Sequence, residues 1–195
     1  MVDVSHSHPV LAFEAPECLN RLWFVGRLLT SSAPDGDHFV PEQEKFFGAL
    51  ARAALRDVDS DVGRSALVQW RQLWASAIRR RMDEVIVNGP ALPARLDIPE
   101  EMHSLSVVEA VAEDMFRGWW APPVGVKPAL LWLIGQVSGQ LDTAGLIRAR
   151  RSDVAHVDVV GYDHDCTRDH GYVKVGAGAL FPPKTSTLVP IFGAP

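Results

Sequence analysis

Apolar residues recur at intervals of three and four along most of the first 150 positions, the spacing that lays one stripe along a helix. Leu19, Leu22, Trp23, Gly26 and Leu29 follow it between Pro16 and Thr30, with Pro16 suited to a first helical position. Pro41, backed by Glu42 and Glu44, opens a second stripe of Phe46, Phe47, Leu50, Ala54, Leu55 and Val58. A third, capped at Ser60 or Asp61, carries Leu67, Trp70, Trp74, Ile78, Met82 and Val85 and stops at Asn88-Gly89-Pro90. Pro99 starts a fourth, with Met102, Leu105, Val108, Ala112, Met115 and Phe116 turned inward as far as Gly118-Trp119-Trp120. The fifth runs from about Lys127 to Arg150 and is apolar enough to read as a helix buried in a core.

After Arg151 the period changes. Val154 to Tyr162 is rich in β-branched residues, and Gly171 to Phe181 repeats a strand-like pattern. Asp163 to His170 lies between them as a connector, so a β-hairpin is expected. The first 15 residues and the stretch from Pro182 to Pro195 read as irregular. The expected architecture is α+β, mainly α: a helical body of about five helices over 16–150, then a C-terminal β-hairpin and an irregular Pro-rich tail over 152–195. The whole of 1–195 is expected to form a single domain.

Composition narrows the function classes. A net charge of −5 argues against a broad nucleic-acid binder, which needs a basic field. Two cysteines do not make a disulfide framework, so a reducing compartment is expected. The opening residues lack the basic and apolar regions of a secretory signal, and the apolar stretch from Ala129 is too interrupted to span a bilayer. A cytoplasmic protein without membrane association is the expectation.

Chemistry concentrates in one segment. His156 to His170 holds three of the seven histidines, one of the two cysteines and four aspartates. Strand alternation would put His156, Asp158, Tyr162, His164 and Cys166 on one face, with His170 and Tyr172 brought near by the hairpin partner. Imidazole, carboxylate and thiolate are transition-metal ligands, so Asp163, His164, Asp165, Cys166 and His170 form a candidate site for a divalent metal, zinc or iron. In an enzyme, Asp163 and Asp165 would ligate metal or act as base, His164 and His170 would ligate or shuttle protons, and Tyr162 would donate to an oxyanion. Cys166 beside His164 or His170 could instead be a nucleophile with its base. The bland alternative is a polar hairpin tip.

Other motifs point away from nucleotides. Gly176-Ala177-Gly178 begins like a dinucleotide loop, but Phe181 stands at the third glycine and Pro182-Pro183 follows. Arg79-Arg80-Arg81, and Arg148 with Arg150 and Arg151, read as complements to helix C-termini or as a local phosphate patch. Trp119, Trp120, Pro182 and Pro183 are candidate contact residues for a partner.

Three functions follow as expectations. The first is a non-catalytic interaction, assembly or accessory subunit that engages a protein partner or forms a homo-oligomer. The second is a small metal-assisted enzyme built on the hairpin. The third is an immunity-type or regulatory binder.

Overall fold

A computed structural model describes residues 12–31, 41–88, 96–121, 125–143, 156–169 and 171–192. In chain order these form β1 (Ala12–Glu14), α1 (Glu17–Ser31), α2 (Pro41–Ala54), α3 (Ser60–Asn88), α4 (His103–Trp120) and α5 (Val126–Thr143). The C-terminal part holds β2 (His156–Val159), β3 (Cys166–Asp169), β4 (Tyr172–Val175), α6 (Ala177–Leu180) and α7 (Thr185–Phe192). The architecture is α+β and mainly α, with the five long helices that the periodicity predicts.

α1 is central. Cys18, Leu19, Leu22, Trp23, Phe24, Val25, Leu28 and Leu29 are all buried, so the helix is covered around most of its girth by α2, α3 and α4. An amphipathic helix buries one face; this one is buried nearly all round, Asn20 and Arg27 included, because it has neighbours on several sides. The Gly26 backbone meets the Trp70 indole of α3, and any side chain at that position would run into the ring. α3 begins where Asp59 accepts a hydrogen bond from the Asp61 amide at 2.7 Å, so Asp59 caps the helix in place of the expected Ser60 or Asp61. α4 buries Leu105, Val108, Ala112 and Phe116, as its stripe predicts. It starts at His103, after a turn closed by Met102 on Pro99, rather than at Pro99 itself.

The sheet departs from a simple hairpin. Its order is β1-β2-β4-β3. β1 pairs parallel with β2, β2 pairs parallel with β4, and β3 alone runs antiparallel, against β4. The expected connector thus supplies a strand of its own, and the expected irregular N-terminus supplies the opposite edge. Parallel neighbours need a crossover, and here residues 160–165 cross the carboxyl end of β4 to reach the far edge. Gly176 and Gly178 make room for that crossing, since a side chain on either would strike the backbone of Tyr162 and Asp163. This is the physical use of the glycine pair that superficially resembles a nucleotide loop.

The two sheet faces differ in chemistry. Phe13, Val157, Val159, Val173 and Val175 alternate onto one face. α7 covers it, with Phe192 edge-on to Phe13 at 5.8 Å and Arg168 donating to the Ile191 carbonyl at 3.3 Å. The expected irregular tail is therefore helical over Thr185–Phe192. The other face carries Glu14, His156, Asp158, Tyr172 and Lys174, and α3 lies over it.

α5 is not wholly buried. Leu130, Leu133, Val137 and Leu141 turn inward, whereas Leu131 and Trp132 are exposed. Among the described residues no helix is long and apolar enough to cross a membrane.

Candidate functional site

The polar sheet face converges on Arg81 of α3. Its side chain is fully buried. Nε donates to Asp158 Oδ2 at 2.8 Å, and Nη2 donates to Glu14 Oε2 at 2.7 Å. The same Nη2 lies 3.3 Å from Asp158 Oδ1 and 2.9 Å from His156 Nε2. Tyr172 donates its hydroxyl to Asp158 Oδ2 at 3.0 Å, and its ring stacks on the His156 imidazole, with the planes 9° apart. One guanidinium therefore ties β1, β2 and α3 together, and Asp158 extends the tie to β4.

A buried charge is tolerated only when it is paired and hydrogen-bonded. Asp158 meets that condition. Burial alone would raise its carboxyl, but hydrogen bonds from His156 and Arg81, together with the guanidinium charge, outweigh burial and hold it below the ordinary range. Burial followed by the Asp158 charge pushes the Tyr172 phenol far above its ordinary value, so the hydroxyl stays a donor. Burial likewise raises the nearby Cys18 thiol to about 11, which leaves it unreactive near neutrality.

His156 Nε2 lies 2.9 Å from Asp158 Oδ1 as well as from Arg81 Nη2. Arg81 only donates and an ionised carboxylate only accepts. A protonated Nε2 therefore serves Asp158, and an unprotonated one serves Arg81; it cannot serve both.

Ligand atoms of Glu14, His156 and Asp158 lie within 4.8 Å of one another, and the donor set suits a divalent metal. Arg81 is within hydrogen-bond distance of all three side chains. The guanidinium therefore stands where a metal's charge would act, and a metal would have to displace it.

The second polar locus lies at the carboxyl ends of β2 and β4. Asn20 of α1, fully buried, donates to the Pro16 and Val159 carbonyls and accepts from the Gly161 amide at 2.9 Å. Gly161 adopts φ +65°, in the left-handed region, with its backbone against the Trp23 ring. Trp23 donates its indole N–H to Asp163 Oδ2 at 2.8 Å, and burial raises the Asp163 carboxyl above the ordinary range.

The predicted site residues separate at this turn. Asp163 points inward, while His164, Asp165 and Cys166 are exposed. Among the described residues, these four form no group with the convergence that Glu14, His156 and Asp158 show. His170 lies outside the described residues. Strand alternation holds for His156, Asp158 and Tyr172 and ends at Gly161, whose positive φ redirects the chain before Tyr162. The Cys166 thiol is raised, by packing around its sulfur foremost, against the pull of Lys174 and Arg168. That is the wrong direction for an activated nucleophile. Tyr162 is half-buried with its ring edge-on to Trp119, and burial raises its phenol.

The tryptophan pair is mostly internal. Trp120 is buried and stacks on Phe116 at 5.9 Å; half-buried Trp119 stacks on Trp23 at 5.7 Å and also meets Phe24 and Phe47. They are packing residues, not a free contact surface. Pro182 is exposed and Pro183 half-buried. Arg79 and Arg80 are exposed, whereas Arg81 sits well inside a helix that continues to Asn88 and so does not complement its terminus. Arg148, Arg150 and Arg151 lie outside the described residues.

No family model, no curated protein and no solved structure matches this chain. Its own geometry carries the functional argument.

Sequence reasoning missed Glu14 and Lys174 and read Arg81 only as a helix-end or phosphate-patch cation. Arg81 falls two turns after Trp74, on the flank of the predicted apolar stripe, and that position was the available signal. Glu14 belongs to a strand of three residues, too short for a period to show.

Proposed function

We propose that this protein works through its surface, as a non-catalytic interaction or assembly subunit that engages a protein partner or a second copy. One observation carries the reading. Of the seven large hydrophobic residues that are exposed among the described ones, four lie on α5 and on the α6–α7 segment packed against it: Leu131, Trp132, Phe181 and Val189. Trp132 is 59% exposed and Phe181 61%. Aromatic residues held in water on a folded surface are typical anchors of protein contacts. The exposed Pro182 next to Phe181 adds a rigid apolar neighbour.

The buried network supports this reading from the other side. Its charges are closed onto each other, and Arg81, Asp158 and Tyr172 are fully buried. Such a network serves to fix the sheet against α3. Metal-assisted chemistry, the competing reading, has its best footing at Glu14, His156 and Asp158 rather than at residues 163–166.

The test is native mass spectrometry and light scattering on gently purified protein, beside a Trp132→Ser/Phe181→Ser variant. The wild type should form a homo-oligomer or retain a stoichiometric protein partner, and the variant should lose it with its circular dichroism unchanged. A wild type that is monomeric and partner-free, or an assembly that survives both substitutions, overturns the proposal.

A further inference from the structure

A groove of about 430 Å³ lies between the turn that joins α2 to α3 and one face of α4. That volume falls within the range of small-molecule sites. Ala54, Val58 and Val62 form one wall, and Val107, Val111 and Met115 of α4 form the other. The walls are aliphatic apart from the Met115 thioether. Val111 is 43% exposed and would gain by being covered.

The polar lining is of one sign. Only Asp57 and Asp59 contribute it, and no basic residue lines the groove. Asp59 is engaged in capping α3 through the Asp61 amide. Asp57 is exposed and has no ion-pair or hydrogen-bond partner among the described residues. It also follows the carboxyl end of α2 at Ala54, where exposed carbonyls already make the potential negative. Arg56 precedes it in sequence but lies outside the lining. An apolar trough with a carboxylate at its rim selects for an alkyl chain ending in a cation.

We infer that this groove binds a small amphipathic amine, its hydrocarbon part lying between Val58 and Val111 and its ammonium beside Asp57. The site is independent of the α5–α7 surface and of the Arg81 network. Octylammonium, octanoate and octanol are suitable probes, titrated below their aggregation limits into the full chain and followed through its methionine and valine methyl signals.

Octylammonium should give saturable shifts at Met115 and Val111, and octanoate should bind at least about tenfold more weakly. Asp57→Asn should weaken octylammonium by about two- to fivefold, as for a partly exposed ion pair, and leave octanol unchanged. Val111→Trp, at an exposed position that tolerates bulk, should fill the groove and abolish binding of all three. The inference is overturned if octylammonium produces no saturable shift, if it survives Val111→Trp, or if octanoate or octanol binds equally well. Equal binding of octanol would mark the groove as a seat for an apolar side chain instead.

Discussion

Arg81 and Asp158 are both fully buried, are 77 residues apart in sequence, and meet at 2.8 Å. Each offsets the other's removal from water, and Arg81 is shared with Glu14 besides. Arg81→Met should leave Asp158 as an uncompensated buried charge and cost about 3–5 kcal/mol in urea unfolding. Asp158→Asn should cost less, because Arg81 keeps its ion pair with Glu14. The double variant Arg81→Met/Asp158→Leu should lose markedly less than the sum, because the stranded charge is gone. Strict additivity would mean that the two side chains do not interact.

The two buried aspartates should respond to acid in opposite directions. The Asp158 carboxyl is held below its ordinary value, so the stability it contributes is present at neutral pH and is lost as pH falls through its folded value. The Asp163 carboxyl is raised by burial, so it takes up its proton sooner in the folded state, and its contribution improves as pH falls. Asp163→Asn gives up one of the two acceptors that serve the Trp23 indole and the Asp165 amide, but it should gain on the wild type as pH rises from about 4 to 7. Urea midpoints across that range check the claim; a difference that does not change with pH would refute it.

Alkali should weaken the fold. The folded state holds the Cys18 thiol at about 11, against an ordinary 9.0, so between those values the unfolded chain ionises first and gains. The full difference is worth about 3 kcal/mol, of which about 2 kcal/mol is lost between pH 9 and pH 11. Tyr172 adds to the loss because its phenol is raised still further. Cys18→Ala should flatten the slope of stability against pH in this window, whatever it does to stability at pH 7. An unchanged slope would show that the Cys18 thiol is not shielded as described.

Zinc should separate the roles of Arg81 and a metal. Because the guanidinium already occupies the space between Glu14, His156 and Asp158 and pairs with both carboxylates, zinc should leave the wild-type melting temperature unchanged. Arg81→Ser opens the same three ligands, and zinc should then raise the melting temperature of that variant. If zinc stabilised the wild type and His156→Ala abolished the effect, the metal reading would prevail over the structural one.

Asn20 should be as sensitive as a large core residue. Asn20→Leu would leave the Gly161 amide and the Val159 carbonyl buried without their partner, at about 2–4 kcal/mol. Gly161→Ala should be damaging for a different reason: left-handed backbone and collision with the Trp23 ring. Both should leave the helical signal largely intact while shifting the Trp23 fluorescence.

The helices were legible because their stripes are made of residues that meet locally. Leu105, Val108, Ala112 and Phe116 show their shared face by spacing alone. The sheet was legible only in part. Val157 and Val159, like Val173 and Val175, look like strand residues, but their parallel pairing depends on where residues 160–165 go, and that is decided by Gly161 and the crossing at Gly176. The histidine-rich segment drew attention by composition, yet only its first turn of alternation reaches the network, through His156 and Asp158. Arg81 was hidden inside a run of three arginines whose other two members are exposed. Charge spacing on a helix does not reveal which cation faces a distant carboxylate.

The pairing of β1 with β2 joins the beginning of the described chain to its last third. During synthesis, Ala12–Glu14 leaves the ribosome long before His156–Val159 exists to receive it. The helices of α1–α4 can gather first, since their contacts are closer in sequence. Arg81, already placed on α3, must then wait in water with Glu14 as its only early acceptor among the three. The last strands to be made are the ones that dehydrate it, so closure of the core coincides with completion of the sheet. A nascent chain halted after α5 would keep its helices and stay open along the face that Asp158 seals.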